Sequence, residues 1–156
     1  MDVETLLRQI DETGAVEHRH DGYWAVWPGV DVRRMATVMI ENAIRLATIT
    51  GVPRSDGVLR LIYHWEVGPD LVNIETVAAD GAVASIADLL PAADWAERET
   101  RDYFGTQFTG REDSPPLVLR GGDPQGLFVR TADMGHDMNP ATATRDAVDH
   151  ERGEYR

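Results

Sequence analysis

A chain of 156 residues is long enough for one ordinary domain with a sizeable core, and its lack of cysteine excludes disulfide scaffolds, zinc–thiolate sites, iron–sulfur ligation and thiol nucleophiles. Asp and Glu total 27 against 15 basic residues, a net charge of −12, which opposes binding to nucleic acid or to an anionic membrane surface. Every basic residue is arginine, so lysine Schiff-base and P-loop chemistry are excluded as well. No apolar run approaches the ~20 residues of a membrane span, and the Met1-Asp2-Val3-Glu4 start lacks the positive region of a signal peptide. These features lead to the expectation of a soluble intracellular protein.

Val3, Leu6, Leu7 and Ile10 recur at i, i+3, i+4 and i+7, one face of a helix that Gly14 can stop. Residues 15–27 carry β-formers on both sides of Asp21-Gly22, a strong hairpin dipeptide. Asp31 is placed to cap a long helix through Thr50, with Met35, Val38, Met39, Ile44 and Ile49 as its apolar stripe and Gly51-Val52-Pro53 closing it. Residues 58–67 and 71–77 read as strands joined by the turn Gly68-Pro69-Asp70, with a further turn at Asp80-Gly81. Pro91 suits the first turn of a helix running to Phe104, with Gly105 as its cap. This order of elements predicts an α+β fold: a mixed or antiparallel sheet with helices packed on it. Past Gly110, prolines and glycines crowd the chain, so 1–110 is expected to form the domain and 111–130 an irregular extension. Residues 131–156 form an acidic, polar tail expected to order only on a partner.

Candidate chemistry is sparse. His18 and His20 could share one strand face and a metal, but no third ligand is indicated. His64 sits in an apolar strand and reads as a core or interface histidine, while His136 and His150 lie in the tail. Ser55, Ser85 and Ser114 lack a nucleophile-elbow context, and there is no phosphate-binding glycine loop. The densest feature is the run from Asp94 to Gly105, where Glu97/Arg101 and Arg98/Asp102 are spaced i, i+4. Three readings compete. The run can be a solvated face laced with weak ion pairs; it can supply Glu97, Glu99 and Asp102 as an acid/base carboxylate set; or, flanked by Trp95, Tyr103 and Phe104, it can organise an interface. Arginines among these acids favour mutual neutralisation over a raised catalytic pKa.

The stretch 85–110, Ser-Ile-Ala-Asp-Leu-Leu-Pro-Ala-Ala-Asp-Trp-Ala-Glu-Arg-Glu-Thr-Arg-Asp-Tyr-Phe-Gly-Thr-Gln-Phe-Thr-Gly, resembles the signature of the 30-kDa subunit of respiratory complex I. The related domain recurs in membrane-bound [NiFe]-hydrogenase and formate-hydrogenlyase complexes. The resemblance is carried by Asp94, Trp95, Glu97, Arg98, Glu99, Asp102, Tyr103, Phe104, Gly105, Phe108 and Gly110, and extends over roughly residues 31–119. It implies a non-catalytic subunit of a membrane-associated oxidoreductase, itself without cofactor. Such a subunit would dock on a large catalytic subunit of the 49-kDa or hydrogenase type, beside an iron–sulfur subunit. The partners would carry the iron–sulfur clusters and, in the hydrogenase branch, [NiFe]. The resemblance places the chain in the cytoplasm, peripheral to the inner face of the cell membrane. It also implies that Glu97, Arg98, Glu99 and Asp102 hold the local fold and the contact between subunits, that Phe104 and Phe108 anchor in apolar pockets, and that Gly105 ends the helix at positive φ. After Gly110 the family's His-Pro-Asp-Leu-Arg-Arg element is replaced by Arg111-Glu112-Asp113-Ser114-Pro115-Pro116. That departure favours the hydrogenase-like branch, or a divergent relative, over a standard complex I subunit. The alternatives are a stand-alone acidic adaptor or a small enzyme using the three carboxylates.

Overall fold

The computed structural model describes residues 2–129. His136, His150 and the expected tail lie outside the described residues.

Helix α1 (Val3–Ile10) starts at Asp2, whose carboxylate accepts from the Thr5 N–H, and buries the four apolar residues expected of it. Strands β1 (Val16–Arg19) and β2 (Gly22–Val26) form the expected hairpin. Its turn depends on Gly22, at φ 123°, where a Cβ would meet the Leu71 carbonyl oxygen. Helix α2 (Val32–Glu41) is capped as expected, the Asp31 carboxylate accepting from the N–H groups of Arg33 and Arg34.

The long helix to Thr50 is not what forms. The chain leaves α2 at Asn42 and enters strand β3 (Arg45–Pro53). Ala43 adopts φ 56°, its N–H bonds to the Ile40 carbonyl, and the Ile44 N–H bonds to the Met39 carbonyl. Those two bonds close a Schellman turn without the usual glycine, which is why residue type alone does not reveal the stop. Beyond it, Thr48, Ile49, Thr50 and Val52 are β-branched, and packing of the strand overrides the helical spacing.

Strands β4 (Leu59–Val67) and β5 (Asp70–Val77) complete a five-stranded sheet in the order β1-β2-β5-β4-β3. β2 and β5 run parallel and the other pairs antiparallel, so the sheet is mixed. A short parallel ribbon, β6 (Ala82–Ala84) with β7 (Gln107–Thr109), has no counterpart among the expected elements. Helix α3 (Ala93–Phe104) begins two residues after Pro91, which instead supplies the carbonyl for the Asp94 N–H.

One sheet face carries Leu61, Tyr63, Trp65, Val72 and Ile74, which join α1, α2 and Phe108 in a single buried cluster. The opposite face mixes polar pairs with apolar residues such as Ile62: Arg60 pairs with Glu75, and His64 sits between Asn73 (2.7 Å) and Thr50 (3.0 Å). His64 is thus a satisfied sheet histidine. His18 stacks on Tyr23, and no group of three or more His, Cys, Asp or Glu side chains among the described residues could share a metal ion.

Candidate functional site: a charged clamp on helix α3

Most of the charged residues of α3 do not face solvent. Glu97 is 3% exposed and Asp102 fully buried, and Arg101 is buried beside them, which overturns the reading of a solvated face. The pairs Glu97/Arg101 and Arg98/Asp102 expected from spacing are not the ones made. Asp94 instead binds both Arg98, at 3.1 Å, and Arg111.

Each side chain reaches a segment without regular structure of its own. The Glu97 carboxylate accepts from the Ser85 hydroxyl at 2.6 Å and the Ile86 N–H at 2.8 Å, tying the loop before α3 to the helix. Burial pushes its carboxyl above the ordinary range, against the pull of those two donors and of Arg111. At this one carboxylate the direction runs against the expectation of mutual neutralisation over a raised pKa. Arg98 donates to the carbonyls of Pro115 (2.9 Å) and Pro116 (3.0 Å), and Arg101 to Pro115 (3.0 Å). Asp102 Oδ2 accepts from three successive backbone N–H groups, Leu117 (2.7 Å), Val118 (2.8 Å) and Leu119 (3.3 Å). Burial opposes its ionisation, but those donors hold the Asp102 carboxyl below its usual range. Burial likewise opposes ionisation of Asp94, and the Arg98 and Arg111 guanidiniums hold it low.

The end of α3 continues the clamp. Gly105 caps it at φ 72°, as expected, with its N–H on the Arg101 carbonyl. The carbonyls of Asp102 and Tyr103 accept from Gly126 (2.9 Å) and Phe128 (2.8 Å), and the Phe128 ring lies 4.6 Å from that of Tyr103. Phe104 packs over Gly51, where a Cβ would come within 2.7 Å of its ring. Phe108 is buried in β7, so both phenylalanines fill apolar sites of this chain itself. Gly110, at φ 89°, turns the chain into the extension. Two motif residues point elsewhere: Trp95 is 71% exposed, and Glu99 is exposed with no hydrogen bond or ion pair among the described residues.

Sequence reasoning locates α3 but misses its partners. Pro115, Pro116 and residues 117–119 act through backbone atoms, which carry no side-chain signal, and Ser85 stands out in the sequence only as a serine without an elbow.

The cluster encloses very little space. The cavity among Asp94, Glu97, Arg98, Arg101, Phe108 and Arg111 measures about 10 Å³, against the ~300–1,000 Å³ of small-molecule sites. Clefts of about 380 and 430 Å³ lie elsewhere, one between Arg54 and Phe128, the other around Tyr23 and Asp70, and neither is lined by Glu97, Glu99 or Asp102.

Residues 28–131 match the family described as the respiratory-chain NADH dehydrogenase, 30 Kd subunit. The chain belongs to this family. The 30 Kd subunit match takes in both α3 and the extension that it clamps. Relatives include the C/D subunit of the NADH-quinone oxidoreductase of Acidiphilium cryptum, 45% identical over 54% of this chain and 16% of that protein. A subunit of the Streptomyces coelicolor NADH-quinone oxidoreductase is 34% identical over 64% of this chain and 43% of its own length. Formate hydrogenlyase subunit 5 of Escherichia coli is 36% identical over 51% of this chain and 14% of its own. The chain therefore spans less than half the length of each of these relatives. Among solved structures, a chain of the membrane-bound sulfane sulfur reductase, an archaeal respiratory membrane complex, aligns with TM-score 0.66 at 22% identity, over 91% of this chain and 89% of that one. The trypsin-resistant fragment of Nqo5 aligns with TM-score 0.56 at 23% identity, over 75% of this chain and 100% of the fragment. Both show the shared fold. No helix among the described residues is long and apolar enough to cross a membrane.

Proposed function

We propose that this 30 Kd-type subunit is a non-catalytic brace in a multi-subunit, membrane-associated oxidoreductase of the NADH dehydrogenase or hydrogenase kind. It docks on the large catalytic subunit, at the inner face of the membrane, in electron transfer to or from quinone or protons. On this reading the iron–sulfur clusters, and [NiFe] where present, belong to the partner subunits.

One observation carries the reading. The buried charges of α3 hold an extension without helix or strand in a defined path, and that path leaves Val118, Leu127, Phe128 and Val129 exposed. A chain held by this many charge-assisted bonds, with its large apolar groups outward, has the character of a contact surface. An enzyme built on Glu97, Glu99 and Asp102 is disfavoured, because two of these are buried against backbone donors and the third points away from them.

The test is removal of the gene from its own host. The expected result is loss of the large subunit from the membrane together with the complex's turnover, both restored by supplying the chain. Normal assembly and turnover without it would refute the proposal.

A further inference from the structure

The clamp accounts for Asp94, Glu97, Arg98, Arg101 and Asp102, and leaves Glu99 over. Trp95, Glu99 and Tyr103 follow one another at i, i+4 and i+8, so they share one side of α3. Trp95 and Glu99 are exposed, Tyr103 is half-buried, and Phe128, packed on Tyr103, prolongs the stripe with a ring 58% exposed. A lone exposed tryptophan needs no explanation, but a tryptophan beside a carboxylate without a partner among the described residues, and two further rings, has the make-up of a receptor for a cation.

Building on the docking role above, we propose that this stripe receives an arginine side chain of the large catalytic subunit, its guanidinium flat on the Trp95 indole and paired with the Glu99 carboxylate. Charge supports a basic occupant. The chain carries −12, and Arg98 and Arg101 of α3 and Arg111 at the start of the extension are engaged inside the clamp. Arginine fits better than lysine because a planar guanidinium can stack and make a bidentate pair at once. The same three-part contact exists elsewhere in this chain: the Arg19 guanidinium lies 4.8 Å from the Trp24 ring centroid and 2.7 Å from the Glu17 carboxylate. Buried aromatic–arginine contacts are also the class of contact that dominates protein–protein interfaces energetically.

The test uses the full-length tagged chain isolated from its host's solubilised membranes, as wild type, Glu99→Gln, Glu99→Arg and Trp95→Ala. The expected result is retention of the large subunit by wild type and about tenfold or greater loss of retention in Glu99→Arg and Trp95→Ala. Glu99→Gln should weaken retention and flatten its salt dependence. Thermal midpoints of the free variants should match wild type, because neither side chain contributes to the clamp. A photo-crosslinking residue at position 95 should label an arginine-bearing peptide of the large subunit. Labelling of the chain's own residues 130–156, or of a second copy, would overturn the proposal. Equal retention by wild type and all variants would also overturn it while leaving the docking role intact, whereas a wild-type chain that retains no large subunit overturns both.

Discussion

Asp102 is the side chain on which the clamp turns, so replacing it offers a graded test. Its Oδ2 receives two short bonds, 2.7 and 2.8 Å, and a weaker one at 3.3 Å, from the backbone of 117–119. Hydrogen bonds to a charged acceptor contribute about 1.5–3 kcal/mol each, so the two short ones amount to roughly 3–6 kcal/mol. That sum is a ceiling, because the extension can peel away and give its N–H groups to water. Asp102→Asn keeps the shape and one oxygen but loses the charge, which roughly halves the bond strength, for a loss of about 1.5–3 kcal/mol. It also removes the counter-charge that Arg101 finds 3.7 Å away. The assay is amide hydrogen exchange read by mass spectrometry. Asp102→Asn should lower protection at 117–119 and 126–128 by roughly ten- to hundredfold, and Asp102→Ala should abolish it, while the amides of β4 and β5 change far less. Unaltered protection at 117–119 in Asp102→Ala would refute the clamp. Equal loss across the whole chain would show that the extension is no separable unit.

Arg98→Ala removes three bonds from a largely buried guanidinium and should cost about 1–3 kcal/mol in thermal unfolding; Arg98→Lys should recover only part, since an ammonium cannot fork between two prolyl carbonyls. Ala43→Gly should raise stability by about 0.5–1 kcal/mol in denaturant titration, because glycine accepts φ 56° without strain; a lower stability would contradict the Schellman turn. Acid should release the extension. Asp94 and Asp102 have folded pKa values below their unfolded ones, so their stabilisation is present above about pH 4 and is lost as pH falls through the folded values. Glu97 has the opposite sign: its raised pKa favours the folded state at low pH, and that contribution falls as pH rises through the folded value. Hydrogen exchange at 117–119, followed as pH falls below about 4, should show the extension opening as Asp94 and Asp102 take up protons. Protection unchanged down to pH 2 would contradict the assignment.

Much of the fold was legible because side-chain pattern and backbone geometry agreed. Asp2 and Asp31 cap helices, Asp21-Gly22 turns a hairpin, and Gly105 ends α3 in the left-handed region, each through a residue suited to its task. Legibility ended at Ala43, where backbone bonds stop a helix without the residue that normally marks it. At the site, the resemblance picked out the right helix, but spacing alone paired its charges within the helix. Apart from the Arg98–Asp94 pair, the true partners of Glu97, Arg98 and Asp102 lie mostly 11 to 18 residues away and are mostly main-chain atoms. Long-range main-chain partners are beyond any i, i+4 rule. That is also why Glu99, the one motif acid without such a partner among the described residues, could not be separated from its neighbours by sequence.

If the chain braces a catalytic centre that it does not itself contain, the most direct measurement is the composition of what it binds. Native isolation of the tagged chain from its host's membranes, with every companion identified and quantified by mass spectrometry, should return a large catalytic subunit in equal amount together with an iron–sulfur subunit. Recovery of the chain alone, or in stoichiometric union with a protein unrelated to redox chemistry, would contradict it.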